Sequence, residues 1–348
     1  MPSVSTIDKS RVNDVLAQYA ALKSLNPDIT SIEAGPALGV PPSTLRRYLQ
    51  LYGRPGAVLA EELVVTPAPK TGETIEELLA RKKLGMKRTQ AHEAWANLIP
   101  VAVKHDGPIG LFLVGDPHVD DDGCDIEQLE HDLYTVGNTP GMFAGHIGDL
   151  TNNWVGRLKA LYAHQSTRFE DGVKLTEWML GLAPNLFVVG GNHDCWEQGM
   201  DLLRFVIGQS STLQAHGARM ALRWGDGSEI RIHARHDFSG RSQYSDTHGM
   251  KRELLFGRKD HILVAGHTHV DEARVEPSVE GDVHWMFRIS GYKVVDEFAN
   301  KMGFRPKRLA PGVTLILDPK ARVPADVVKP FWDVEAAGDY LTYLRKRK

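Results

Sequence analysis

The chain has 348 residues, 42% of them hydrophobic and 24% charged, with a formal net charge of -3. That is the composition of an ordinary globular protein with room for one large domain and a small appendage, and it excludes a globally basic nucleic-acid binder, so any cationic surface has to be local. The two cysteines, Cys124 and Cys195, make no disulfide framework. With an N-terminus that lacks an apolar signal core and no bilayer-length apolar run, they predict a soluble, cytoplasmic protein with no membrane partner.

In chain order, Val12, Val15, Leu16, Tyr19, Leu22 and Leu25 recur at three- and four-residue spacing, which predicts an amphipathic helix over 11–25. A short segment from Thr30 to Leu38 leads into Gly39-Val40. Pro42-Ser43-Thr44 then opens a second helical run that Gly53 ends. Three short helices around a glycine-containing turn predict a small all-α helix-turn-helix domain over 1–54, in which Pro36 should shorten or kink the middle helix. The segment SIEAGPALGVPPSTLRRYLQLYG resembles helix-turn-helix DNA-binding modules of bacterial and phage proteins. The resemblance implies DNA as a partner, with Ser43, Thr44, Arg46 and Arg47 at the start of the recognition helix; a module for protein contact or dimerisation is the alternative.

Residues 55–107 read as a connector. Prolines and glycines flank an apolar stretch, AVLAEELVV, and a long helix over 73–97 follows, acidic in its first turn and basic in RKKLGMKR. From Pro108 short apolar runs alternate with helical segments: GLFLVGD, IEQLEHDLYTV, GMFAGHIGD, a long helix, then LFVVGGNHD. RMALRW, a Gly-Asp-Gly-Ser turn and EIRIHARH read as a hairpin, followed by HILVAGHTH, VHWMFRIS and GVTLILD. The expected fold over 108–348 is therefore α/β: two packed mixed sheets flanked by helices, the second sheet more antiparallel and completed by the region after Gly291.

Polar, metal-capable residues stand directly after the predicted strands: Asp116-Pro117-His118, Gly148-Asp149, Gly191-Asn192-His193-Asp194, His236, and Gly266-His267-Thr268-His269. Strand ends are where α/β proteins place their sites. Mixed imidazole and carboxylate donors suit manganese, iron or zinc better than magnesium or calcium, and two such ions together neutralise a phosphoryl group and provide a nucleophile at neutral pH. Asp116 and His118, two apart, would share one side of an extended segment. The glycines before Asp149, Asn192 and His267 would permit sharp turns.

This series, read as DPH, GDLTN, GNHD, RHD and GHTH, resembles the calcineurin-like metallophosphoesterase superfamily, including its DNA-repair exonuclease branch. The resemblance implies two divalent ions, Mn2+ first and iron or zinc otherwise. Asp116, His118 and His269 would hold one, Asn192, His236 and His267 the other, and Asp149 would bridge them. It further implies in-line attack on phosphorus by a metal-bridging hydroxide, with His193, oriented by Asp194, protonating the leaving oxygen. His233 competes with His236, which is preferred for its place at the strand end. Asn152-Asn153 replaces the carboxylate and arginine of the protein-phosphatase branch, which counts against a phosphoprotein substrate. Arg157 could touch phosphate but reads better as a surface residue. Asp120, Asp121, Asp122 and Asp125 read as the solvated start of a helix. Arg235, Arg241, Ser242 and His248 lie where substrate could pass. The sequence thus leads to a DNA-directed nuclease or phosphodiesterase, with a phosphatase or phosphodiesterase for nucleotides or phosphoproteins, and a DNA-binding regulator, as the alternatives.

Overall fold

A computed structural model describes residues 9–52, 72–155, 162, 165–208, 211–279, 281–295 and 309–347. The chain forms two compact units, Met1–Arg81 and Lys82–Lys348. In the first, α1 (Lys9–Leu25), α2 (Ser31–Ala37) and α3 (Pro42–Tyr52) pack around Val15, Ala34, Val40 and Leu45. Thr30 and Glu33 cap α2 reciprocally, each accepting the other's backbone N–H. Gly39, at φ 65°, makes the turn into α3. Pro36 stands in the last turn of α2, and the helix ends one residue later. The apolar connector stretch 57–65 lies outside the described residues. The long helix predicted after it is α4 (Ile75–Ala96), which has no buried residue.

The second unit is a sandwich of two six-stranded mixed sheets. The first sheet contains β2 (Ile109–Val114), β3 (Met142–His146), β4 (Asn185–Gly190), β5 (Thr212–Ala215), β11 (Gly312–Leu317) and β12 (Val328–Phe331), in the order β12-β11-β2-β3-β4-β5. From β2 to β5 the strands are parallel, while β11 and β12 join antiparallel beyond β2. The second sheet contains β1 (Ile99–Val103), β6 (Gly217–Trp224), β7 (Glu229–Arg235), β8 (Ile262–Ala265), β9 (Glu272–Pro277) and β10 (Val283–Arg288), in the order β1-β6-β7-β8-β10-β9.

Period-two burial explains the layering. Ile109, Leu111 and Leu113 of β2 face the other sheet, meeting Met220, Leu222, Ile232 and Val264 in the core between them. Phe112 and Val114, on the opposite face, join a second core with helices α5 (Ile126–Asn138), α6 (Phe169–Gly181), α7 (Gly199–Ile207) and α9 (Val334–Lys346). A smaller core sets Met250 and Leu254 of α8 (His248–Phe256) against Leu263, Ala265 and Met286. Both faces of β2 are buried, so it reads as one apolar run without alternation.

Two sequence expectations are corrected here. Ile99–Val103, placed in the connector over 55–107, is β1 and pairs in parallel with β6, because its alternating Ile99, Val101 and Val103 supply an apolar face to the sandwich. The region after Gly291 completes the first sheet and not the second. Antiparallel pairing with β2 needs no crossover helix, so GVTLILD takes the open side of that strand as β11.

Candidate metal centre

Five strands converge on one edge of the sandwich with their C-terminal ends. β2, β3 and β4 of the first sheet deliver Asp116, His118, Asp149, Asn192 and His193, and β7 and β8 of the second deliver His236, His267 and His269. The approach is close enough that a β-carbon on Gly191 would overlap the Asp149 carboxylate, and one on Gly266 that of Asp116. Asp116, His118, Asp149, His267 and His269 all have positive φ, between 34° and 73°. Left-handed backbone in non-glycine residues costs on the order of 1–3 kcal/mol each and gathers at functional sites. It also corrects the extended reading of Asp116-x-His118: the two side chains meet through left-handed turns.

The donor atoms fall into two groups. Those of Asp116, His118 and His269 lie within 4.8 Å of one another, as do those of Asp149, His236 and His267. In the second group His236 Nε2 is 3.2 Å from Asp149 Oδ2, 3.0 Å from Asn192 Oδ1 and 3.0 Å from His267 Nδ1. Donors bound to one ion at about 2.0–2.2 Å are themselves about 3 Å apart, so the spacing fits a shared cation. In the first group Asp116 Oδ1 and both ring nitrogens of His118 are buried without a hydrogen-bond partner. Orphaned polar atoms are costly, and a cation held by one His118 nitrogen and Asp116 would satisfy two of these three. Asp149 joins the groups: its Oδ2 also lies 4.0 Å from His118 Nε2 and 3.8 Å from His193 Nε2.

The electrostatics fit the same reading. Burial pushes the Asp116 carboxyl up to about 8, opposed by His236 and reinforced by Asp149. Burial, with His269 and Lys293 nearby, holds His118 well below its ordinary value, so it is neutral and able to ligate. Burial opposes charge on His236, yet its bond to Asp149 and the charge of Asp116 raise it to about 9. Two buried carboxylates thus recruit a proton onto His236, a place a divalent cation can take.

Around His193 the structure departs from expectation. Its Nδ1 lies 2.9 Å from the Asn152 carbonyl oxygen, its main-chain N–H donates to Asp149 Oδ1 at 2.9 Å, and its ring stacks on Trp196 at 4.5 Å between centroids. Asp194 does not orient that ring. Its carboxylate accepts main-chain N–H bonds from Gly191 at 2.9 Å and Leu150 at 3.1 Å, tying together the turns that carry Asn192 and Asp149. Burial, with the Asp149 charge beside it, raises Asp194 to about 7. Asn153 steadies the same turn, donating to the His193 and Trp196 carbonyls at 2.9 Å each. Sequence reasoning passed over Trp196, although an aromatic three residues beyond a site histidine, within one turn, was a legible signal.

The remaining candidates separate. His236 sits within the second donor group, whereas His233 Nδ1 lies 3.8 Å from Asp260 and from Glu253, away from both groups. Asp120 and Asp121 are buried and not solvated: they accept from the Asn152 main-chain N–H and side chain, and Lys293 pairs with Asp121 at 2.9 Å. Asp122 accepts from Ser166, and only Asp125 caps the helix, receiving the Gln128 N–H at 3.1 Å. Arg235 donates to the Asp237 carbonyl, Ser242 accepts from Tyr244 N–H, and Arg241 and His248 are exposed. Arg157 lies outside the described residues. On α3, Ser43, Arg46 and Arg47 are exposed and Thr44 half-buried, with Arg46 donating to Ser31 Oγ at 3.1 Å.

No protein-family model matches the chain, and no curated protein matches it significantly. Among solved structures it is similar to a conserved uncharacterized protein from Streptococcus pneumoniae TIGR4, described as a predicted phosphoesterase. The identity is 13% over 65% of this chain and 98% of that one, with a TM-score of 0.31. It is also similar to Vacuolar Protein Sorting 29 from Cryptosporidium parvum, at 15% identity over 61% of this chain and 87% of that one, with a TM-score of 0.35.

Proposed function

We propose that the chain is a two-metal-dependent phosphoesterase and that its substrate is the phosphodiester backbone of DNA. The observation that carries the first part is the Asp149 carboxylate, which stands between two convergent donor groups with Oδ2 3.2 Å from His236 and 4.0 Å from His118. Asp116, His118 and His269 would hold one divalent ion, Asn192, His236 and His267 the other, and Asp149 both; the donor set suits Mn2+, with iron or zinc as alternatives. Ions bound there supply charge neutralisation of a phosphoryl group and ease deprotonation of water.

The chain's own residues do the rest. The Asn152 carbonyl accepts the His193 Nδ1–H and so leaves Nε2 facing Asp149; with a second proton taken up from solvent on Nε2, the imidazolium gives that proton to the leaving oxygen and returns to the Nδ1–H tautomer. Trp196, stacked on the imidazole, restricts its rotation. Asp194 keeps the two ligand-bearing turns in register from beneath. DNA as substrate is supported by the exposed Ser43, Arg46 and Arg47 at the start of α3, a local cationic face on a chain of net charge -3.

The test is turnover by the manganese-loaded full chain of single- and double-stranded DNA, bis-nitrophenyl phosphate and nitrophenyl phosphate. We expect hydrolysis of DNA and the diester, reduced at least about 100-fold in Asp149→Ala. Activity confined to the two nitrophenyl esters would replace DNA by a small-molecule substrate. No turnover of any of the four would remove the phosphoesterase reading itself.

A further inference from the structure

The opposite edge of the sandwich holds a cavity that the phosphoesterase reading does not use. Its lining comes from the N-terminal ends of the strands whose C-terminal ends carry the metal ligands: Ile109 of β2, Phe143 of β3 and Leu186 of β4, faced by Val101 and Val103 of β1 and Leu222 of β6. Strands of five or six residues at about 3.3 Å per residue put it about 15–20 Å from the candidate metal centre. The two sheets splay here. Val101, Val103, Phe143 and Leu186 stay half-buried at the margin of the core between the sheets. The space between them is about 470 Å³, within the range of about 300–1,000 Å³ typical of small-molecule sites.

The polar part of the lining has one sign. Lys104, His105 and Arg345 supply it, and among the described residues no carboxylate lines the cavity. Arg345, reaching in from the last turn of α9, lies so close over Gly141 that a β-carbon there would overlap its guanidinium. Among the described residues its one hydrogen bond is Nη1 to the Pro108 carbonyl at 3.3 Å, and no acidic partner stands beside it. A guanidinium set over apolar walls with most of its donors uncommitted matches a planar oxyanion, which it can grip with two parallel bonds. The walls match a hydrocarbon, and the volume admits one chain and not the two of a membrane lipid.

We infer that this cavity is a binding site for a single-chain amphipathic carboxylate, a medium-chain fatty acid, with its tail between β1 and the first sheet and its head on Arg345. The inference stands on the cavity alone and does not depend on the phosphoesterase reading.

The test is isothermal titration of the full chain with dodecanoate, with dodecanol and dodecyl phosphate as comparisons. Saturable one-to-one binding of dodecanoate is expected, at least about tenfold tighter than the alcohol and no weaker than the phosphate. Arg345→Gln should weaken it about tenfold by removing the fork, and Val103→Trp should abolish it by filling the cavity. Circular dichroism melts establish that both variants fold, and turnover of the diester should be the same in both as in the unaltered chain. Dodecanoate binding that survives both substitutions, equal binding of the alcohol, or no saturable binding by the unaltered chain would overturn the inference.

Discussion

Five of the eight described non-glycine residues with positive φ are Asp116, His118, Asp149, His267 and His269, all members of the two donor groups or their bridge. Strain, buried carboxylates and orphaned imidazole nitrogens at one point mean that the site is held against its own preferences by the surrounding sandwich, and a cation bound there would relieve it. A consequence can be measured. In chelator-treated protein burial holds the Asp116 carboxyl up at about 8, which costs stability at neutral pH because the unfolded chain ionises that group freely, so Asp116→Asn should raise the melting temperature, by a stability gain on the order of 1–3 kcal/mol, while removing one metal-binding event. The asparagine can still accept the His267 main-chain N–H that Asp116 now receives at 2.8 Å. A variant that melts lower than the unaltered chain, both stripped of metal, would show that the carboxylates are not strained in the way their burial implies.

At the scale of elements, the turns that carry Asp116, Asn192 and His267 follow β2, β4 and β8, whose last four residues are buried on both faces. That is why DPH, GNHD and GHTH stood out, each a polar cluster at the end of an apolar run. What could not be read were pairings set by distant segments. Asp194 is adjacent to His193 in sequence but bonds the turn of Leu150, 44 residues earlier, and Asp120 and Asp121 look like solvated acids until Asn152 and Lys293 reach them. β1 was hidden because five residues of an edge strand resemble a connector until β6 is placed beside them. The first unit makes its own prediction. If α3 contacts phosphates, Arg46→Ala with Arg47→Ala should weaken DNA binding by the full chain across sequences and reduce the salt dependence of its affinity by about two counterions' worth. Turnover of the small diester should not change. Unaltered DNA affinity in the double variant would move the DNA contact away from this helix.

The whole molecule uses the two edges of one sandwich differently. At the C-terminal strand ends the side chains are carboxylates and imidazoles from both sheets; at the N-terminal ends a cavity lies between the sheets, and the side chains are apolar with cations beside them. The same parallel strands β2, β3 and β4 serve both edges, so the spacing at one depends on the packing of Leu111, Phe187 and Val264 between them. Everything proposed about chemistry rests on the first edge holding two cations through a shared carboxylate. Titrating the metal-free full chain with Mn2+ while following heat and bound metal tests this directly. Two ions per chain are expected, falling to one weakly held ion or none in Asp149→Ala, whereas a single ion per chain, or two ions bound unchanged without Asp149, would contradict it.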